Sequence, residues 1–206
     1  LSANARLGQI RFAPSGRHFA FTVRQDDGLT LWVVDVDDAK ASPVSDRRLH
    51  SVFGGTVAWM PTSDRLVVRF IPENRESLSE SETPAAPVIQ ENLSGNAPSR
   101  TYQDLLKNPD DEAAFEHYGQ SQIAIAGLDG AIQDIWTTGL HSRAQPSPNG
   151  NYLLVETLHR PYSYLVPYYR FPESVSVLDI EGNLIKEVAD LPLAESVPIA
   201  FDAVPE

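Results

Sequence analysis

A short proline turn set between apolar strands recurs along this chain, and it constrains the fold more than any other feature. Residues 10–21 read IRFAPSGRHFAF, 57–68 read VAWMPTSDRLVV and 144–155 read AQPSPNGNYLLV. Proline presets φ at the first central position of a turn. Ser, Thr, Asn, Asp and Gly tolerate or bond the positions that follow. A motif repeated at this scale marks a fold assembled from supersecondary units rather than one wound around a single sheet.

The first unit continues as a complete set of strands. Asp26-Asp27-Gly28 reads as a tight hairpin turn. Residues 29–36, LTLWVVDV, are rich in β-branched and aromatic side chains and read as a buried strand. A loop over 37–40 leads to a more polar outer strand near 43–50. Four strands in about 45 residues make a blade of a β-propeller. Pro14 and Pro61 lie 47 residues apart, and Pro61 and Pro148 lie 87 apart. The second blade therefore carries an insertion of about 40 residues, over about 73–118.

The first part of the insertion, 73–98, is acidic and proline-bearing (Glu73, Glu76, Glu80, Glu82, Pro84, Pro87, Pro98). It reads as a mobile loop. Two short helices are predicted after it, over 102–106 and 111–118, split by Asn108-Pro109, since proline is accepted in a helix's first turn. The blade resumes over 121–126, turns at Leu128-Asp129-Gly130 and ends with 131–137. The third blade takes strands over 151–158 and 174–180, a turn at Glu181-Gly182-Asn183 and an outer strand over 184–188. Residues 197–204 read as a lead strand toward another blade. The predicted fold is all-β: about three four-stranded antiparallel blades of an incomplete ring, since closed rings have roughly four to eight.

Composition removes several functions. The 206 residues carry a net charge of −12, which disfavours nucleic acid and anionic membrane surfaces as partners. No run of about 18 apolar residues offers a membrane-spanning helix. With no cysteine there is no disulfide framework, thiolate metal site or cysteine nucleophile. The five histidines (His18, His50, His117, His141, His159) never fall at i, i+4, so no zincin motif is present. Asp35, Asp37 and Asp38 start like a calcium loop but lack its glycine and closing glutamate. No cofactor motif is present. The nearest string to a serine elbow, Gly119-Gln120-Ser121-Gln122-Ile123, lacks the closing glycine and enters a strand. Asp26, Asp27, Asp110 and Asp111 stand in turn-like contexts, which weakens them as paired carboxylates for glycoside hydrolysis. No residue of the chain is predicted to be catalytic.

The connection over 158–167, LHRPYSYLVP, is the best candidate for a functional segment. It packs bulky side chains, a permanent cation and two prolines into one loop, and so rigid a loop suits a site. Arg160 has the fork geometry to grip a carboxylate, with Tyr162 beside it as a second substrate-binding candidate. An alternative stands open: Arg160 pairs with an acidic neighbour and the tyrosines cap the core.

Three strings carry a more specific likeness: 100–108 (RTYQDLLKN), 158–167, and 190–195 (DLPLAE) with 197–200 (VPIA). Together they resemble the glutamyl endopeptidase branch of the prolyl oligopeptidase family of serine peptidases. The likeness runs from about Phe12 onward and is weakest over 73–98. The resemblance implies an N-terminal propeller joined to a C-terminal α/β-hydrolase domain that holds the Ser, Asp and His triad. On that reading residues 1–206 are part of the propeller, the hydrolase domain lies outside this chain, and no triad position is matched here. Its partners would be peptide substrates and that hydrolase domain, and its place periplasmic or secreted. A preference for glutamate needs a cation near the scissile bond, and Arg160 is the candidate. The abrupt ends, Leu1-Ser2-Ala3-Asn4 and Ala203-Val204-Pro205-Glu206, read as those of a trimmed or processed piece, which would expose blade edges and associate with itself. A second function class is a self-standing propeller that scaffolds other proteins. A weaker third is a carbohydrate-active propeller with carboxylates facing the central channel.

Overall fold

A computed structural model describes residues 5–78, 102 and 104–195. Three four-stranded antiparallel sheets follow one another in the chain. The first is β1 (Arg6–Phe12), β2 (His18–Gln25), β3 (Gly28–Asp35) and β4 (Lys40–Pro43). The second is β5 (Val57–Trp59), β6 (Arg65–Phe70), β7 (Gln122–Gly127) and β8 (Ile132–Asp134). The third is β9 (Leu140–Pro146), β10 (Tyr152–Leu158), β11 (Glu173–Asp179) and β12 (Leu184–Leu191). Among the described residues of the long connection between β6 and β7 stands one α-helix, α1 (Pro109–Gly119). The predicted blades are present.

The recurring turn is the same object three times. Ala13, Met60 and Ser147 each donate their backbone N–H five residues ahead, to His18, Arg65 and Tyr152, at 2.8–2.9 Å. The carbonyls of Ala13, Met60 and Ser147 in turn accept from the N–H groups of Gly16, Ser63 and Gly150 at 2.9 Å. Those third residues are left-handed, with φ of 72°, 65° and 73°. Glycine takes that conformation freely, whereas Ser63 takes it at a cost. Its hydroxyl accepts from the backbone N–H of Ser15, 3.0 Å away, which ties the second turn to the first.

Each pair of neighbouring blades encloses its own core. Ala20, Leu31 and Val33 of the first sheet meet Leu66, Val68, Ala124 and Ala126 of the second. Val67, Ile123 and Ile125 on the opposite face of the second sheet meet Leu153, Val155 and Leu178 of the third. The middle blade is therefore buried on both faces, with apolar side chains pointing both ways from residues 66–68 of β6 and 123–126 of β7. Gly182 makes the second interface possible. Its φ is +91°, and a Cβ there would lie 1.8 Å from the Ile135 carbonyl oxygen, so no side chain fits.

The structure departs from the predicted elements in two described places. The outer strand of the first blade is Lys40–Pro43, not 43–50. Asp35 Oδ1 accepts from the backbone N–H groups of Asp37 and Asp38 and closes the turn early. The backbone pairing carries one residue past Pro43, where the Val44 N–H donates to the Leu31 carbonyl at 2.9 Å. The chain then reaches the second blade, where Leu49 bridges Phe70. Among the described residues of 102–106, where a helix was expected, none is helical. Asp104 has φ of +57°, and the Lys107 N–H donates to Asp111 Oδ2 from outside α1. The lead strand expected over 197–204, and the acidic stretch from 79 to 98, lie outside the described residues.

Candidate functional site

The connections between second and third strands gather at one end of the three blades. In the first blade this connection is the tight turn after Gln25. In the second it is the long excursion containing α1. In the third it is the aromatic segment between Leu158 and Glu173. Gln25 and Asp26 share a cavity lining with Ile71, Arg75 and Tyr118, so the first two connections meet. The second and third meet through α1.

Local sequence explains why α1 forms. Asn108 is its N-cap, with Oδ1 accepting from the Asp111 N–H at 2.8 Å, and Pro109 opens the first turn. Asp110, Asp111 and Glu112 complement the positive end of the helix dipole. Glu112, Phe115, Glu116 and Gly119 follow at spacings of three and four and so fall on one face. Gly119 lets that face approach closely, since a Cβ there would come within 2.9 Å of Phe53 and Leu140.

That face is latched to the third blade. Arg160 Nε donates to Glu116 Oε1 at 2.8 Å and its Nη1 donates to Glu112. Tyr162 donates to Glu116 Oε1 at 2.9 Å, and Tyr164 donates to Glu112 Oε1 at 2.8 Å. The Arg160 guanidinium also lies 4.9 Å over the Tyr162 ring. Below these polar ties Phe115 packs edge-on against Phe53, Tyr162 and Phe171, with ring centroids 5.7, 5.2 and 5.6 Å away. Partial burial alone would raise the Glu116 carboxyl, but hydrogen bonds from Arg160 and Tyr162 prevail and hold it below its usual range. The same bonds raise Arg160, while burial and the bond to Glu116 raise Tyr162. Arg160 remains a cation and Tyr162 a neutral donor at any physiological pH.

Behind the latch lies a polar knot between blades. Arg69 of β6 is 1% exposed. It donates to the carbonyls of Gly54, Gly55, His141 and Ser142, joining the loop that leads into the second blade to the first strand of the third. Burial lowers its pKa to about 10, which still leaves it charged. His50 and His141 flank it, each almost fully enclosed. His50 Nε2 faces the Tyr118 carbonyl at 3.0 Å, and His141 Nε2 faces the Thr137 carbonyl at 2.8 Å. A carbonyl can only accept, so each ring carries its proton on Nε2. Burial first, and then the Arg69 charge, push both pKa values down to about 4.

The sequence-predicted Arg160 and Tyr162 thus stand together, committed to Glu112 and Glu116. Sequence reasoning missed those two glutamates, Phe115 and the knot around Arg69; the helical spacing of 112, 115, 116 and 119 was the signal available. Strings that lay far apart in the sequence converge here. Tyr102 and Leu106 join the cluster of Leu158, Tyr162, Val166 and Phe171, and Leu193 packs there too. His159 Nε2 meets Asp190 Oδ1 at 2.8 Å, the Ala194 N–H donates to the Arg170 carbonyl at 3.0 Å, and Ser163 donates to Glu195.

Comparison with known proteins agrees with this architecture. No family model matches the chain. Two curated chloroplast proteins described as probable glutamyl endopeptidases do match. The one from Oryza sativa subsp. japonica is 37% identical and the one from Arabidopsis thaliana 35%, each over 97% of this chain. The chain spans only 22% of the length of either relative. Among solved structures, the acylaminoacyl peptidase of Pyrococcus horikoshii superposes with a TM-score of 0.52 at 14% identity, over 90% of this chain and 25% of its own. The β-propeller domain of the Trilobed protease from Pyrococcus furiosus gives 0.51 at 11%, over 91% and 43%. At such identities the structures speak for the fold alone. Three meandering four-stranded blades, latched at one end, define a β-propeller segment. By sequence the chain is similar, over nearly its whole length, to part of the two probable glutamyl endopeptidases.

Proposed function

We propose that this chain is the N-terminal propeller part of a longer serine peptidase, where it gates access and helps position peptide substrates. Cleavage, after glutamate, is done by an α/β-hydrolase domain elsewhere in the same polypeptide. The observation that carries this reading is identity of 35–37% over nearly the whole chain to proteins described as glutamyl endopeptidases, of which it matches about a fifth. The latch gives the reading a physical form. A helix inserted in one blade and fastened to the next at one end of the blades is the element through which access at that end would be restricted.

Arg160 and Tyr162 have two roles to separate under this proposal. They hold α1, and Arg160 is also the cation offered to a substrate glutamate, for which Glu112 and Glu116 compete. The test is the full-length gene product assayed on peptides that differ only in glutamate or glutamine at the cleaved position. Cleavage after glutamate, abolished by a serine-directed inhibitor, is the expected result. Arg160→Ala is expected to lower the preference for glutamate. Retention of the full preference in that variant would leave Arg160 only the latch. A product with no hydrolase domain and no cleavage would make the chain a binding scaffold instead.

A further inference from the structure

A strongly acidic chain that keeps three arginines in one cleft, without an acidic partner among the described residues, calls for a reason. Arg6 and Arg24 are direct cross-strand partners in the β1–β2 ladder. Like charges placed opposite each other in this way destabilise a sheet. Neither pairs with a carboxylate among the described residues, although Arg47, Arg48, Arg65, Arg143 and Arg160 all do. Arg24 and Arg75 line a cavity of about 410 Å³ between the first and second blades, and Arg6 and Arg24 line an adjoining one of about 340 Å³. Asp26 is the one carboxylate on their walls, so the cleft carries a net positive charge. The Arg75 guanidinium lies 5.7 Å from the Tyr118 ring, which directs it toward the face that carries α1.

A second observation is independent of the arginines. His50 lines the larger cavity, is 1% exposed, and its Nδ1 has no partner among the described residues. Because Nε2–H is given to the Tyr118 carbonyl, Nδ1 is an unmet acceptor, which is costly to leave buried. A fully deprotonated inorganic anion such as sulfate has only acceptors to present to it. A peptide brings backbone N–H donors together with its carboxylates. The wall also includes Leu29, Leu49, Val52 and Ile71, an apolar lining that a compact inorganic anion does not use.

We propose that the cleft lined by Arg6, Arg24 and Arg75 binds an acidic stretch of polypeptide. The inference rests on the reading that the chain handles glutamate-bearing peptides, and it adds a place for the acidic residues away from the cleaved bond. The cations hold substrate carboxylates and so keep the peptide beside the latched end of the blades.

The test uses this chain and a fluorescently labelled hexaglutamate peptide, followed by anisotropy. Binding is expected, weakening as salt is raised. The double variant Arg24→Gln, Arg75→Gln is expected to lose about tenfold or more in affinity, as removal of charge-assisted hydrogen bonds does. Arg17→Gln, in the turn at the far end of the β1–β2 hairpin, is expected to change nothing. Arg24→Gln alone relieves the repulsion with Arg6, so its melting temperature is expected to equal or exceed that of the unaltered chain, which separates lost binding from lost folding. Equal affinity for hexaglutamine, or undiminished binding by the double variant, would overturn the proposal. So would displacement of the peptide by inorganic phosphate at matched charge concentration. No cleavage is read, so an inactive full-length enzyme would sink the peptidase reading without touching this result.

Discussion

Single side chains set the acid limit of this fold. His50 and His141 are enclosed as neutral rings with pKa values near 4, against 6.5 in an unfolded chain. A folded-state pKa lowered in this way means that the unfolded state takes up protons first as pH falls. Stability is therefore complete above about pH 6.5 and is lost progressively between 6.5 and 4. Linkage gives roughly 2 kcal/mol per ring at pH 5 relative to pH 8, a large share of the stability of a small domain. Melting temperature is expected to fall steeply from pH 7 to 5, and His141→Gln to flatten that fall by about half. An unchanged pH slope in the variant would show that the ring titrates without penalty. Neither histidine's role was legible from the sequence. A lone histidine does not announce whether it is enclosed, and these two were read only as failing to form a metal motif.

At the scale of elements, the latch and the cap on α1 contribute unequally. Ion pairs at a half-exposed guanidinium contribute little to stability. Each aromatic contact adds about 0.5–1.5 kcal/mol beyond the area it buries, and Phe115 makes three. Phe115→Ala is therefore expected to cost α1 about 2 kcal/mol of local stability. Glu116→Gln is expected to leave α1 nearly as protected as before. Asn108→Ala, which removes the cap, is expected to cost about 1 kcal/mol. Hydrogen exchange at the α1 amides measures all three, with β6 and β7 as the internal reference. Greater loss in Glu116→Gln than in Phe115→Ala would mean that the polar ties, not the rings, hold the helix. The helix itself was legible, because Asn108-Pro109 and the acids behind it are local signals. Its companion over 102–106 was not, because a left-handed Asp104 and a tertiary bond from Lys107 to Asp111 decide that stretch. The outer strand of the first blade was misplaced for a similar reason: the residues beyond Pro43 leave for the second blade, and only the neighbouring sheet dictates where they go.

For the molecule as a whole, blade order was legible because the proline turns repeat with one hydrogen-bond pattern, whereas the packing of one blade on the next depends on contacts that no local string encodes. The first blade shows what that packing leaves over. Its second face, away from Leu66 and Val68, carries Ile10, Phe12, Phe19, Phe21 and Trp32 as ladder partners. Phe12, Phe19, Phe21 and Trp32 form a chain of rings 5.5 to 6.4 Å apart. Phe12 is 66% exposed and Ile10 55% exposed. At the far end of the array, Leu184, Ile185, Val188 and Leu191 of β12 are each about half exposed. Contiguous apolar surface of this kind is rare on a lone soluble domain, and water drives it to be covered. The 206-residue chain by itself is therefore expected to self-associate, its average mass in sedimentation rising with concentration. Phe12→Ser with Ile10→Ser is expected to shift that rise to higher concentration without lowering the melting temperature, since both side chains already face solvent. A chain that sediments as a monomer at every concentration and melts sharply would show that the face is tolerated bare. If association persists unchanged in the double variant, the contact belongs to the β12 end instead, and serine substitutions at Ile185 and Val188 become the ones that abolish it.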